Sequence, residues 1–304
     1  MTNLLDPIFN DEDAARKHLE AIRWPDGPVC PYCGTLDASK ALGGKSMGDG
    51  WYHCSACRKK FTVRVGSVYE RSHIPLHKWV LATHLMCASK KGISAHQLHR
   101  MLEITYKSAW FMAHRIREAM KPGTTPEPMG GKGKVVEADE TYIGRKPGKK
   151  KKAGYGHKLA VVTLVERDGK ARSFHVDKAT VATVMPILRQ NVERETAIVT
   201  DESGIYKRVS EDFRSHHSVN HEKKEWRRGN AHTNTIEGYF SIFKRGMKGV
   251  YQHCDEQHLH RYLAEFDFRY NNRAALEIDD DQRAINAHKG AEGKRLTYRR
   301  SPSA

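Results

Sequence analysis

The chain reads as a multidomain α+β protein, and three observations predict it. Two Cys-x-x-Cys pairs stand near the N-terminus, helical periodicity runs over residues 75–119, and an alternating, strand-rich texture begins at Val135. The first calls for a small metal-bound ribbon, the second for a helix-turn-helix-like module, and the third for an α/β sheet domain. A length of 304 residues leaves room for all three, since single domains usually run to about 100–200 residues.

Residues 1–27 form a leading helix, with Ala14, Leu19 and Ile22 at helical spacing and Trp24-Pro25-Asp26-Gly27 as its breaker. Residues 28–70 form the ribbon. Cys30-Pro-Tyr-Cys33 and Cys54-Ser-Ala-Cys57 are separated by a middle that carries Gly43, Gly44, Ser46, Gly48 and Gly50. Two tight knuckles at that interval supply four soft thiolates in a tetrahedron, the pattern of structural zinc. The competing explanation, four ordinary small hydrophobic residues, does not account for both pairs at that spacing. So small a ribbon cannot hold itself without metal, so zinc here is folding free energy. Cys87 and Cys254 remain as buried thiols.

Residues 71–121 form the helical module. Trp79, Leu81, Ala82, Leu85 and Met86 mark a first helix, and Ser94 and Thr105 are N-caps for a short and then a longer one. The last helix carries Lys107, Ser108, His114, Arg115 and Arg117, and Lys107 and Arg115 are candidate DNA contacts from a helix laid in a major groove. The alternative is a plain helical bundle with solvated charges. Residues 122–134, rich in Pro, Gly and Thr, read as a linker.

Residues 135–275 form the sheet domain. Strands are expected at 135–139, 157–165 and 171–176 as an antiparallel meander, then a helix at 180–191, a short buried strand at 197–201, and a fifth strand at 216–220. Helices follow at 235–248 and 255–271. The order, taken as βββαβαβα, is that of an RNase H-like sheet flanked by helices. Residues 276–304 read as a basic tail with no core pattern.

Lys and Arg number 52 against 36 Asp and Glu, a formal charge of +16, which draws the chain toward polyanions such as nucleic acid. The N-terminus lacks a secretory pattern, and the longest apolar stretch, residues 79–88, is too short for a bilayer span and carries His84. No membrane partner is expected.

The candidate chemistry lies with three acids. Asp139 and Asp201 each complete an apolar strand, where a carboxylate can face water at the sheet edge and offer hard oxygen ligands to Mg²⁺ or Mn²⁺. Glu237 is the third, with residues 202–236 between it and Asp201. On its helix Ile236, Tyr239, Phe240 and Phe243 make the core stripe, leaving Glu237, Ser241 and Lys244 on a neighbouring face. Three acids can hold two cations about 4 Å apart for in-line attack on phosphorus. Each acid also has an ordinary reading, as a turn or cap residue or as a first-turn acid on the helix dipole. Glu140 and Glu202 are rival ligands, but neighbours in a strand face opposite ways. Lys244, Arg245, Lys248, Arg227 and Arg228 are candidate DNA contacts. Trp226 fits either a base contact or loop packing.

Together these pieces resemble bacterial insertion-sequence transposases of the ISXO type with an N-terminal zinc ribbon. The resemblance is carried by the two Cys pairs, Val136-Glu-Ala-Asp139-Glu-Thr-Tyr-Ile-Gly144, Thr200-Asp201, Asn234-Thr-Ile-Glu237 through Lys244-Arg245-Gly246, and Phe266–Arg273, over roughly residues 15–275. It implies a D-D-E triad at Asp139, Asp201 and Glu237 holding catalytic Mg²⁺, an accessory DNA contact at Lys244, and a structural zinc. It further implies binding of terminal inverted repeats and target DNA, 3′-end cleavage and strand transfer, a homodimer or higher assembly on DNA, and a bacterial, cytoplasmic, nucleoid-associated setting. One departure is Arg145, where such proteins often carry a second Gly. The basic tip Lys146–Lys152 that follows fits a DNA contact or a solvated loop. Two other classes stay open: a domesticated or regulatory DNA-binding protein that does not cut, and an RNase H-like nuclease or resolvase.

Overall fold

A computed structural model describes residues 3–43, 47–123 and 127–297. Gly44 and Ser46 of the ribbon's middle, residues 124–126 of the expected linker and residues 298–304 of the expected tail lie outside the described residues. The elements in order are α1 (Glu12–Arg23), β1 (Ser39–Leu42), β2 (Trp51–Cys54), β3 (Lys60–Phe61), α2 (Leu76–Ala88), α3 (Ala95–Leu102) and α4 (Tyr106–Met120). There follow β4 (Val135–Ile143), β5 (Leu159–Glu166), β6 (Ala171–Val176), α5 (Val181–Asn191), β7 (Ala197–Thr200), β8 (Ser215–Ser218), α6 (Asn234–Gly246), α7 (Glu256–Asn271) and α8 (Asp280–Lys289). The chain divides into two compact units, Met1–Lys121 with Ile278–Ala304, and Pro122–Glu277.

In the first unit β1, β2 and β3 make a small antiparallel sheet. Trp24, at the end of α1, packs edge-on against Tyr52 at 5.5 Å and Phe61 at 5.7 Å, so the leading helix is closed onto the ribbon by an aromatic cluster. Ser94 and Thr105 cap α3 and α4 as the sequence predicts, accepting the Gln97 and Ser108 backbone N–H at 3.1 and 3.2 Å. The short helix, turn and longer helix are therefore present, packed with α2.

The tail departs from expectation. Asp280–Lys289 is a helix against α2 and α4, and it buries Arg283, Ala284, Ala287 and His288. Its anchors are polar: Arg283 donates to the Cys87 carbonyl at 2.9 Å, Tyr69 meets His288 at 2.7 Å, and the Lys294 ammonium donates to the carbonyls of Ala119 and Lys121. A helix whose inner face is Ala, Arg and His carries no hydrophobic period for sequence reading to find. Cys87 is buried as expected, whereas Cys254 is half-buried.

The second unit is a five-stranded sheet in the order β6-β5-β4-β7-β8, antiparallel across β6, β5 and β4 and parallel across β4, β7 and β8. The meander, α5 and the fourth and fifth strands fall close to where the sequence puts them, except that β4 runs on past Asp139 to Ile143, so Asp139 lies inside the strand rather than completing it. The helix that the order βββαβαβα requires between those two strands is replaced by two short 3₁₀ turns, Gly204–Tyr206 and Val209–Glu211, and two helices follow the last strand. A segment that includes Ser203-Gly204 is a poor helix former, which accounts for the loss. With this change the unit keeps the RNase H-like sheet.

Alternation along β4 and β5 divides the core. Val136, Ala138, Val162 and Leu164 pack with Val184, Met185 and Leu188 of α5. Ile143, Val161 and Val165 pack with Ile236, Tyr239, Phe240 and Phe243 of α6 and with Leu259, Leu263 and Phe266 of α7. The second half of the expected linker is not free chain. Met129 is buried and exchanges backbone hydrogen bonds with Asn191 and Glu193 at 2.8 and 2.9 Å.

Phe266–Arg273 is a structural device. Asp267 on α7 accepts the Ser173 N–H and hydroxyl at 2.8 and 2.7 Å and the Tyr239 hydroxyl at 2.6 Å, while Asn271 pairs with the backbone of Ala171 at both its N–H and carbonyl. These bonds cover the edge strand β6, which would otherwise offer an open ladder to another chain.

Candidate active site

The ribbon's four cysteines come from two like-built knuckles. In each, the first Cys carbonyl accepts a backbone N–H four residues on, Gly34 to Cys30 at 2.9 Å and Arg58 to Cys54 at 2.8 Å. Gly34 and Arg58 both hold left-handed φ, +71° and +60°, which glycine adopts freely and Arg58 adopts at some cost. The sulfurs lie together: Cys30 to Cys57 is 3.6 Å, Cys33 to Cys54 is 3.7 Å, and all four lie within 4.8 Å of one another. A tetrahedron with zinc–sulfur bonds of about 2.3 Å requires edges of roughly 3.8 Å, so the set fits the ion. The Thr35 hydroxyl and backbone draw the Cys33 thiol down to about 6, whereas Cys57, lowered by the Lys59 backbone but raised more by burial and the other sulfurs, is pushed up to about 12. Four thiolates so close need a cation, and zinc supplies it structurally.

The acids are assembled from distant segments. Strands β4 and β7 run parallel in the register Val135↔Ala197, Val136↔Ile198 and Glu137↔Val199. The same register carried two residues on brings Asp139, in the middle of β4, level with Asp201, the residue that follows the C-terminal end of β7. Burial pushes the Asp139 carboxyl up to about 8, reinforced by Asp201 and Glu140 and opposed by the Glu140 N–H, 2.7 Å away, and the Lys244 charge. Burial likewise raises Asp201, whose carboxylate accepts the Ser203 N–H at 3.0 Å and feels His221. Two half-buried carboxyls side by side resist ionising together unless a cation joins them.

Glu237 lies in the first turn of α6, exposed, accepting the Thr233 hydroxyl at 2.8 Å with His221 Nε2 at 3.6 Å. Among the described residues only the cysteine set gathers three or more ligand atoms within 4.8 Å, so Asp139, Asp201 and Glu237 are not drawn together on one point. Glu140 points to the α5 face, where the Tyr206 hydroxyl donates to it at 2.9 Å, and Glu202 accepts the His221 and Glu222 N–H groups at 3.0 and 3.3 Å.

The basic candidates divide. Lys244 is half-buried, 5.6 Å over the Phe240 ring, with its charge felt at Asp139. Arg245 and Lys248 are exposed, the former bonded to Ser241, the latter in a widened π-type turn after α6. Arg227 and Arg228 are exposed, tied to the carbonyls of Gly229 and Ser218 at 2.7 Å. Lys107 is exposed on the first turn of α4.

Arg115 is a correction. It is 6% exposed, donates to the Glu70 carbonyl at 2.5 Å, and lies over the Trp79 and Phe111 rings. His114 and Arg117 are buried with it, so α4 presents Lys107 outward rather than a row of cations. The helix packs against α2, α3 and α8, and α8 was invisible to the sequence reading. Trp226 is 59% exposed, with its ring 4.9 Å from that of His221.

Sequence reasoning missed Glu137, His221 and Thr233. Glu137 reads in sequence as a charged interruption of an apolar strand, and the other two lie in a segment without period.

Residues 130–271 match the family described as ISXO2-like transposase domain, and residues 10–60 match the transposase zinc-ribbon domain. The chain belongs to the insertion-sequence transposases with an N-terminal zinc ribbon, and it is a DNA transposase by that membership. It is 26% identical over 280 residues, 86% of this chain and 91% of that protein, to an uncharacterised protein in transposable element ISH50 of Halobacterium salinarum. Two solved structures are similar at 12% identity: a simian T-cell lymphotropic virus intasome with the PP2A regulatory subunit B56 gamma, and the Mos1 strand transfer complex. The first has a TM-score of 0.30 over 56% of this chain and 67% of that one, the second 0.29 over 70% and 74%. No helix among the described residues is long and apolar enough to cross a membrane.

Proposed function

We propose that Asp139, Asp201 and Glu237 form the catalytic triad of this transposase, binding the element's terminal inverted repeats, cleaving the 3′ ends and joining them to target DNA. The observation that carries the reading is the pairing of Asp139 and Asp201 on adjacent parallel strands, with the first turn of α6 carrying Glu237 against the same face. The acid set suits hard divalent ions, Mg²⁺ or Mn²⁺, which when bound would activate the attacking oxygen and stabilise the leaving one.

The chain's own part is positioning and charge. Asp139 and Asp201 hold two carboxylates in a half-buried position, where charge interactions are stronger than in bulk solvent. Lys244, next to Asp139, offers a cation to the phosphate being cut. Arg227, Arg228, Arg245, Lys248 and Lys107 bind the DNA backbone, a sequence-independent attraction that weakens with salt. Transfer of two ends requires a dimer or larger assembly on DNA. Nucleoid association follows from DNA binding.

The test is cleavage and joining of labelled linear DNA carrying the element's ends in Mg²⁺, comparing wild type with Asp201→Asn and Glu237→Gln. Wild type nicks and joins while both variants bind without reacting. A wild type that binds the ends and never cuts would replace this reading with that of a regulatory DNA-binding protein.

A further inference from the structure

Helix α6 has no side-chain cap of its own. Its N-cap residue is Thr233, whose side chain makes no capping bond and turns instead to Glu237. The acceptor that a helix start needs comes from another element: Glu137 of β4, fully buried, takes the Ile236 N–H at 2.9 Å and the Thr235 hydroxyl at 2.9 Å. Ile236 is the third helical residue, the N–H that a capping side chain ordinarily serves. A carboxylate there also complements the positive end of the helix dipole.

The same carboxylate is gripped from the other side. Arg167, at the β5–β6 turn, donates to Glu137 at 2.7 Å and to the carbonyls of Asn230 and His232 at 2.7 and 2.8 Å, with His232 Nδ1 3.3 Å from Glu137. Strand, turn, loop and helix start thus meet at one buried ion pair. Glu137 lies two residues from Asp139 on the same face of β4, and Ile236 immediately precedes Glu237. The clamp therefore spans the gap between the first and third acids.

We propose that Glu137 is a positioning residue that sets Glu237 relative to Asp139 and Asp201, so that the three acids engage a divalent cation together. The proposal rests on the triad reading above. Loss of a partner that orients a metal ligand typically weakens metal binding or activity by about 10–100-fold, so Glu137→Gln and Glu137→Ala should weaken the cation site by about tenfold or more.

The test is Mn²⁺ binding, followed by electron paramagnetic resonance on full-length, zinc-loaded protein, with thermal melting as a control. Wild type, Glu137→Gln, Glu137→Ala, Glu237→Gln and the double variant Glu137→Gln/Glu237→Gln are compared. Glu137→Gln keeps the shape and one acceptor, so it remains measurable if Glu137→Ala fails to fold. The expected result is weaker Mn²⁺ binding in Glu137→Gln than in wild type, and less than about twofold further loss when it is added to Glu237→Gln, because coupled residues do not act additively. An equal loss in both backgrounds would mean general destabilisation and overturn the proposal, as would unchanged binding in both single variants. A wild type that binds Mn²⁺ no better than Glu237→Gln overturns the triad reading itself, and the proposal with it.

Discussion

The ribbon and the acid cluster are both built to hold cations, yet they are assembled in opposite ways. Each cysteine pair is made by a local turn, and the four sulfurs are drawn together within 4.8 Å. The three acids of the proposed triad come from two strands and a helix, spaced across residues 139–237, and do not gather within 4.8 Å of one another. A site made by local turns serves the fold; a site made by the sheet's topology can be kept open for substrate. Burial raises both Asp139 and Asp201, which on the proposed reading is the cost of holding such a site open.

The sharpest way to break this contrast is to remove the ribbon's metal. Structural zinc sites bind with apparent free energies of about 10–16 kcal/mol near neutral pH, and that energy is folding energy. Cys54→Ser should release zinc and unfold residues 28–70, seen as loss of near-ultraviolet signal from Trp24, Trp51 and Tyr52. A ribbon that stays folded without zinc would contradict it.

Next in size, Glu237→Gln should lower cleavage by more than the 10–100-fold typical of residues that merely orient a ligand, while leaving zinc content and the melting temperature unchanged. A variant retaining a tenth of wild-type cleavage would remove Glu237 from the site.

Smaller is the linkage of stability to pH. Because Asp139 in the folded protein titrates at about 8, above its ordinary 3.8, its contribution is fully present below about pH 4 and is lost as pH rises through 8. In metal-free protein Asp139→Asn should therefore raise the melting temperature by several degrees at pH 8 and by almost nothing near pH 4. A shift independent of pH would show that Asp139 is not held protonated.

Smallest is the division of basic residues. Arg115→Ala removes a buried charge with its hydrogen bond and ring contacts and should cost about 1–3 kcal/mol, with DNA affinity per folded molecule unchanged. Lys107→Ala should change stability by no more than about 0.5 kcal/mol and reduce the salt slope of DNA binding by about one. Denaturant melts and salt titrations of DNA binding separate the two.

Much of this was legible because it is periodic or local. The cysteine spacing located the ribbon, alternation located β4 and β5, and Ser94 and Thr105 marked the starts of α3 and α4. What escaped was non-local and polar. α8 buries alanines and the side chains of Arg283 and His288, so hydropathy could not reveal it, and Arg115 looked free to face DNA because its partners, the Glu70 carbonyl and the Trp79 ring, are distant in sequence. Asp139 and Asp201 stood out as acids completing apolar runs, but Asp139 lies in the middle of β4, and that the two come level depends on the pairing of β4 with β7. Glu137 was hidden by its own burial: in a strand it looks like any charged interruption until the start of α6 is seen against it.

The most direct test of the account is metal-dependent cleavage by protein dialysed against a mild chelator, with zinc measured in the same sample. The account predicts that about one zinc per chain is retained, that labelled DNA bearing the element's ends is left uncut, and that Mg²⁺ alone restores cleavage. Cleavage that persists without added Mg²⁺, or that rises and falls with zinc content, would contradict it.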